Sequence, residues 1–272
     1  MNKIIELNNL CGIDVGCSKI KMSAFYNNSC YYDSVPSGDN ITREQLIDVI
    51  SNFYQSFNCD FDGLGIAFSG CTLNSKTVYH SPLKCMNGLN VSDFSHLHCK
   101  KVRFINDANA TALSGTLEYP DSKVLLGITS GTGIGLGIVI NGSLFCGSNK
   151  LAGEIYGNPT LLFNGEITKT GRICSGSKIL NKIYYSRQPK DLVLEESAKY
   201  LGMELVSLIH ILNPDIIYLS GEGFTYSDFI FELNNFVYKH AYPCFTQNLR
   251  IVLSSFSKNS GCFGAMKYLR TN

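Results

Sequence analysis

Asp107 has the neighbours that a chemically active carboxylate needs. It stands in Phe104-Ile105-Asn106-Asp107-Ala108-Asn109-Ala110, where a short apolar run ends and a helix should begin. Further along lies Gly131-Thr132-Gly133-Ile134-Gly135, a glycine-rich turn between Val124-Leu125-Leu126-Gly127-Ile128 and Leu136-Gly137-Ile138-Val139-Ile140. A carboxylate can align and deprotonate an attacking hydroxyl. The N–H groups of a glycine turn can hold phosphate oxygens. Together they suit phosphoryl transfer. The plainer alternatives are a helix N-cap for Asp107 and a packing origin for the alternating glycines.

Two further carboxylates stand beside small-residue turns. Asp14 precedes Gly16, Ser18 and Lys19 and could hold Mg²⁺ through waters while the turn meets phosphates; alone it could equally be a turn former. Glu154, in Leu151-Ala152-Gly153-Glu154, could accept hydrogen bonds from sugar hydroxyls or simply be a surface glutamate. No Gly-x-x-x-x-Gly-Lys-Ser/Thr loop occurs, and glycines 131, 133, 135 and 137 do not make Gly-x-Gly-x-x-Gly, which argues against a P-loop or dinucleotide fold. The cysteines lack the paired spacing of a zinc site, and His96, His98 and Cys99 read as a solvated loop.

Composition narrows the classes. With 272 residues, 44% hydrophobic and 17% charged, the chain is long and apolar enough for two ordinary lobes. A net charge of +1 disfavours nucleic acid or a membrane surface as partner. Met1 to Leu10 lacks the apolar core of a signal peptide, and no apolar run is long enough to span a bilayer. The 11 cysteines are therefore expected to be reduced thiols in a cytoplasmic protein.

The elements that must position these residues follow from periodicity. Cys11 to Val15 and Lys19 to Tyr26 read as a hairpin, and Thr42 caps a helix with Leu46, Val49, Ile50 and Phe53 on its apolar face. Strands are expected at 63–68 and 102–105, with a helix at 108–118. Strands at 124–129, 135–140 and 143–145 follow, the last two joined by Asn141-Gly142. Helices at 177–185 and 192–212, a strand at 216–219, and helices at 229–238 and 261–269 complete the chain. This order predicts an α/β protein of two related halves, with ligands at the C-terminal ends of strands.

Taken in order, five segments resemble the ROK family of sugar kinases, within the actin/hexokinase-like superfamily: Gly12-Ile13-Asp14-Val15-Gly16-Cys17-Ser18-Lys19, Ile105-Asn106-Asp107-Ala108-Asn109-Ala110, Ser130-Gly131-Thr132-Gly133-Ile134-Gly135, Ala152-Gly153-Glu154 and Ser220-Gly221-Glu222-Gly223. The resemblance implies a two-lobed actin-like/RNase H-like ATPase fold with an inter-lobe active-site cleft. Lobe one would span 1–108 plus a C-terminal helix at 261–272, and lobe two 109–260. It implies ATP and Mg²⁺ as cofactors and a hexose or N-acetylhexosamine as substrate, phosphorylated at the 6-hydroxyl; N-acetylmannosamine is our choice among these and is not given by the resemblance. Asp14, Gly16, Ser18 and Lys19 would form the first phosphate loop, with Asp14 holding Mg²⁺ through water. Gly131, Thr132 and Gly133 would form the second, and Gly221 and Gly223 would sit under the adenosine. Asn106 and Glu154 would bind the sugar, and Asp107 would bind it and act as general base. A homodimer is implied as well.

Departures from the family pattern are specific. Cys17 replaces the usual second glycine of the first loop, and a Cβ there crowds the phosphate or shifts the turn. Gly157 falls where a histidine is expected, and 159–175 holds one cysteine, Cys174, instead of a zinc-binding cluster, so no zinc site is expected. Leu161, Leu162, Phe163 and Ile167 must then order this segment by packing. Glu166 is the nearest counterpart of a second sugar-binding glutamate and is out of register; the loop at Ser81-Pro82-Leu83 lacks an expected asparagine. The alternative is a degenerate sugar-binding sensor or regulator without a DNA-binding domain.

Overall fold

A computed structural model describes residues 5–38 and 40–271, so residues 1–4, 39 and 272 of the expected first lobe lie outside the described residues. The chain divides into two compact units, one reaching to Pro120 and resuming at Asn259, the other running from Asp121 to Lys258.

In the first unit, β1 (Leu10–Val15) is buried along its length except at Asp14. It pairs antiparallel with β2 (Lys19–Tyr26), which pairs with β3 (Ser29–Pro36). Helix α1 (Arg43–Gln55) follows, its Thr42–Gln45 capping box formed as the sequence predicts. Strand β4 (Gly63–Phe68) pairs parallel with β1. The small hairpin of β5 (Cys71–Leu73) and β6 (Thr77–His80) comes next, then β7 (Val102–Asn106), parallel to β4, and helix α2 (Asp107–Glu118). The sheet order is β3-β2-β1-β4-β7.

Alternation along these strands assigns their faces. Cys11, Ile13, Leu64, Ile66 and Phe104 share one apolar core with Leu46 and Ile50 of α1. Gly12, Gly65 and Asp14 face instead the C-terminal helix, Ser260–Leu269 (α8): a Cβ on Gly12 would lie 2.2 Å from the Cys262 carbonyl oxygen, and one on Gly65 2.3 Å from that of Ala265. On α8, a Cβ at Gly264 would lie 1.6 Å from the carbonyl oxygen of Ala110 in α2. Backbones approach here as only glycine allows. This contact corrects the expected boundary at 108/109: α2 packs on α8 and stays with the first unit, so the division falls after Pro120.

The second unit repeats the plan. Strands β8 (Val124–Ser130), β9 (Ile134–Ile140) and β10 (Ser143–Leu144) form an antiparallel meander, with Asn141 and Gly142 both at positive φ in the expected tight turn. The hairpin of β11 (Pro159–Leu161) and β12 (Ile167–Lys169) precedes α3 (Gly171–Cys174), α4 (Gly176–Tyr185) and α5 (Lys190–Leu212), which ends at a left-handed Asn213. Strand β13 (Ile216–Ser220) pairs parallel with β8, and after α6 (Ser227–His240) and α7 (Pro243–Thr246), β14 (Arg250–Leu253) pairs parallel with β13. The order β10-β9-β8-β13-β14 matches that of the first sheet: a meander, then two parallel strands.

Candidate functional site

In the first unit the parallel register decides which residues meet. Asp14 is opposite Ala67, and Ala67 is opposite Ile105. Asp14 and the Asn106–Asp107 pair therefore lie at the same C-terminal sheet edge, two strands or about 10 Å apart. Asn106, not Asp107, is the N-cap of α2. Its Oδ1 accepts from the N–H groups of Ala108 (2.9 Å) and Asn109 (3.1 Å), and its Nδ2 donates to the Gly70 carbonyl at 3.0 Å. The capping role considered for Asp107 thus belongs to its neighbour. Asp107 is the first helical residue, partly exposed, and its Oδ1 accepts from the Ala108 N–H at 2.9 Å.

Asp14 is held from two sides. Lys21, its register partner on β2, places Nζ 3.4 Å from Oδ2. Gly261, in the first turn of α8, leaves room for the carboxylate: a Cβ there would come within 2.6 Å of Asp14 Cγ. The turn between β1 and β2 is closed by the Gly16 N–H donating to the Lys19 carbonyl at 3.0 Å, and Ser37 Oγ donates to the Gly16 carbonyl at 2.7 Å. The Gly16 N–H thus closes the turn rather than facing a ligand. Ser18 and Lys19 are exposed at its tip.

In the second unit Thr129 pairs with Ser220, so the turns after β8 and β13 share one sheet edge. The Gly131 N–H closes its own turn onto the Gly133 carbonyl at 2.9 Å. Among the described residues the N–H groups of Thr132 and Gly133 meet no acceptor. A Cβ on Gly131 would meet nothing within 4 Å, so packing does not demand glycine there. Gly221 and Gly223 differ. Gly221 has φ +113° and lies against the Ser130 backbone, and a Cβ on Gly223 would fall 2.1 Å from Ser130 Oγ. Beside them is a pocket of about 150 Å³ lined by Gly221, Glu222, Phe224, Thr225, Ser254 and Lys258, among others.

Two residues that motif reading passes over complete this edge. Ser177 donates its N–H to the Gly131 carbonyl (2.9 Å) and its Oγ to the Thr132 carbonyl (2.9 Å). Gly176 lies against Gly223, where a Cβ would stand 2.8 Å from its nitrogen. The small-residue run Ser175-Gly176-Ser177 at the head of an apolar helix was the available signal.

Glu154 belongs to the second unit, exposed on a strap pinned to β9 through Gly153, whose carbonyl accepts from Leu136 at 3.2 Å. The next segment is ordered otherwise than expected. Leu162 packs on the core, but Leu161, Phe163 and Ile167 are exposed. Polar groups hold the hairpin instead. Thr170 N–H donates to the Asn158 carbonyl (2.9 Å), the Thr160 and Thr170 hydroxyls pair (2.7 Å), and Asn158 Nδ2 donates to Glu204 Oε1 (2.7 Å). Burial pushes the Glu204 carboxyl above its ordinary value, against the opposing pull of Asn158. Glu166 is exposed in the hairpin turn, bonded to Asn164. Burial likewise pushes the Cys11, Cys174 and Cys262 thiols up, so they remain neutral core groups. No described helix is long and apolar enough to cross a membrane.

Comparison with known proteins agrees with this architecture. An N-acetyl-D-glucosamine kinase of Yersinia pestis is 31% identical over 155 residues, covering 53% of this chain and 59% of that protein. The chain spans about half the length of the curated kinases it matches. The xylose repressor of Bacillus spizizenii is 24% identical over 255 residues, covering 82% of this chain and 66% of the repressor. Among solved structures, a ROK family protein from Streptococcus pneumoniae in complex with sucrose superposes with a TM-score of 0.79 at 20% identity, covering 95% of this chain and 96% of that one. This likeness establishes the actin/hexokinase-like fold. The ROK family model matches residues 10–172 and 163–272, and the chain belongs to the ROK family.

Proposed function

We propose that this chain is an ATP-dependent sugar kinase acting on a hexose or N-acetylhexosamine. The observation that carries the reading is Asp107: capping of α2 falls to Asn106, and the carboxylate lies at a strand-end edge shared with Asp14. In this reading Asp107 orients the sugar hydroxyl and takes its proton. Asn106 has a second Nδ2 hydrogen to offer the sugar, and Glu154 contributes from the strap.

The nucleotide fits the second unit's edge on three counts. Open space lies over Gly131, the Thr132 and Gly133 N–H groups are available, and a pocket beside Gly221 can take the base. Within the first unit, Asp14 and the exposed Ser18–Lys19 turn are proposed separately as metal- and phosphate-binding groups. A partly exposed carboxylate oxygen suits Mg²⁺, a hard cation that keeps its waters, and the ion when bound would neutralise phosphate charge. The kinship with an N-acetyl-D-glucosamine kinase supports the substrate class. A homodimer in the cytoplasm remains part of this proposal.

A second reading, a sugar sensor without turnover, is favoured by Cys17 in the first loop and by kinship with a repressor. A coupled ADP-release assay with Mg-ATP against hexoses and N-acetylhexosamines, including N-acetylglucosamine and N-acetylmannosamine, separates the two. The kinase reading expects sugar-dependent turnover that disappears in Asp107→Asn. A protein that binds a sugar by calorimetry yet turns over none of the panel would establish the sensor.

A further inference from the structure

We propose that a groove along α3 and α4 of the second unit is a separate ligand site that takes a small phosphate monoester. Arg172 and Lys178 receive the phosphate, and Tyr185 receives the ring of the esterified sugar or nucleoside.

Charge is concentrated in one stretch of the chain. From Lys169 to Lys190 there are six Lys or Arg residues and no Asp or Glu, although the whole chain has a net charge of +1. Folding gathers part of that charge. Lys178, Asn181, Lys182 and Tyr185 recur at three- and four-residue spacing on α4 and so share one face. With Arg172 of α3 and Ser186 just past α4 they line a cavity of about 420 Å³, a volume in the range of small-molecule sites. It shares no lining residue with the pocket beside Gly221.

Two of its three cations await a counter-ion. Lys182 lies 3.5 Å from Glu196 of α5, whereas among the described residues Arg172 and Lys178 pair with no carboxylate. Both are exposed, so packing does not require their charge. Lys178 also stands in the first turn of α4, which contains no acidic residue. The dipole of a helix favours an anion at that end and opposes a cation. Arg172, Lys178 and the helix end therefore reinforce one positive potential, and a phosphate dianion relieves all three. The guanidinium fork suits two phosphate oxygens, and the ammonium acts as a point charge. The rest of the lining suits the esterified part. Tyr185 is 85% exposed and offers an aromatic face to a ring, while the Asn181 amide and Ser186 hydroxyl can bond its hydroxyls.

The test is calorimetric titration of the full chain with a hexose 6-phosphate, a nucleoside 5′-monophosphate and inorganic phosphate, each in the absence of Mg-ATP. At least one ester is expected to bind more tightly than inorganic phosphate, and the better ester identifies the source of the ligand. Arg172→Ala and Lys178→Ala should each weaken that ester roughly three- to tenfold, the scale of one exposed charge-assisted contact. Lys178→Glu should abolish binding with Tm unchanged or raised, because a glutamate suits the first turn of α4. Tyr185→Ala should bring the ester down to the affinity of inorganic phosphate. Lys239→Ala, which removes an exposed cation of α6, should leave binding unchanged. Should Lys178→Glu not fold, the two alanine variants combined carry the same expectation. Failure of both esters to bind overturns the proposal. So does ester binding that survives Lys178→Glu or the combined alanine variant, since the ligand then sits elsewhere. None of these measurements requires turnover, so their outcome is independent of the kinase reading.

Discussion

At the end of the first sheet the chain places side chains: Asp14 with Lys21, Asn106 and Asp107. At the end of the second sheet, built with the same strand order, it places bare backbone: Gly131 to Gly133, Gly176, Gly221 and Gly223. In the proposed reading one edge supplies charge and proton chemistry, and the other supplies N–H groups and space. The same strand order would then serve two chemistries, set by the residues just past each strand end. The difference also extends to how each edge tolerates change. A side chain can be altered without moving the strand beneath it, whereas Gly176 and Gly221 of the second edge are held by close contacts with backbone.

The largest effect should come from the first edge. Asp107→Asn is expected to lower turnover roughly 10²–10⁴-fold. Its Tm should stay near that of the unmodified chain, because Asn106 caps α2. A large fall in Tm would break the comparison by making Asp107 a structural residue.

Gly264→Ala comes next and concerns the framework under that edge. Its Cβ would overlap the Ala110 carbonyl, and neither helix backbone can yield cheaply. We expect a loss of about 3 kcal/mol in urea denaturation, at the upper end for overpacking.

The second edge is sharpened by a pair of variants. Gly221→Ala meets both a positive φ and the Ser130 backbone and should cost about 2 kcal/mol. Gly131→Ala points into open space and should change stability by less than about 0.5 kcal/mol. It should nevertheless raise KM for the nucleotide. Similar losses of stability in both variants would mean that the two glycines serve packing alike.

The smallest effect expected is at Glu204. Burial raises its carboxyl pKa in the fold, so the folded chain holds this proton at pH values where the unfolded chain has released it. Stability is therefore greatest below the ordinary glutamate value and falls as pH rises through the interval up to the raised one. Glu204→Gln, which still accepts from Asn158, should flatten that dependence and stabilise the protein at neutral pH. A pH profile of Tm unchanged by the substitution would contradict this.

Much of the fold was legible because periodicity and end signals agreed. Thr42 with Gln45, Asn141-Gly142, and Asn213 each mark a boundary by local chemistry alone. Strands β3, β5, β6, β11, β12 and β14 were not legible. They are short or exposed, and their pairing partners rather than their own hydropathy make them strands. Of the candidate site, Asp14, Asn106 and Asp107 are the residues the sequence singles out, since a polar residue closing an apolar run stands out. Ser177 and Gly176 were missed because their role consists of contacts with residues more than forty positions away.

Which residue types come after each strand is a property of adjacent positions, so the order of residues settles it without any fold. The same holds for the missing cysteine cluster between 159 and 175. Contacts between distant segments decided the rest. The register of β1, β4 and β7 brought Asp14 and Asp107 to one edge, because hydrogen bonding between separate strands sets which of their ends coincide. The docking of α8 on Gly12 and Gly65 decided that α2 belongs to the first unit. Hydrogen-bond competition decided that Asn106 caps the helix while the Gly16 and Gly131 N–H groups close their own turns, and such choices depend on geometry that a one-dimensional pattern does not contain.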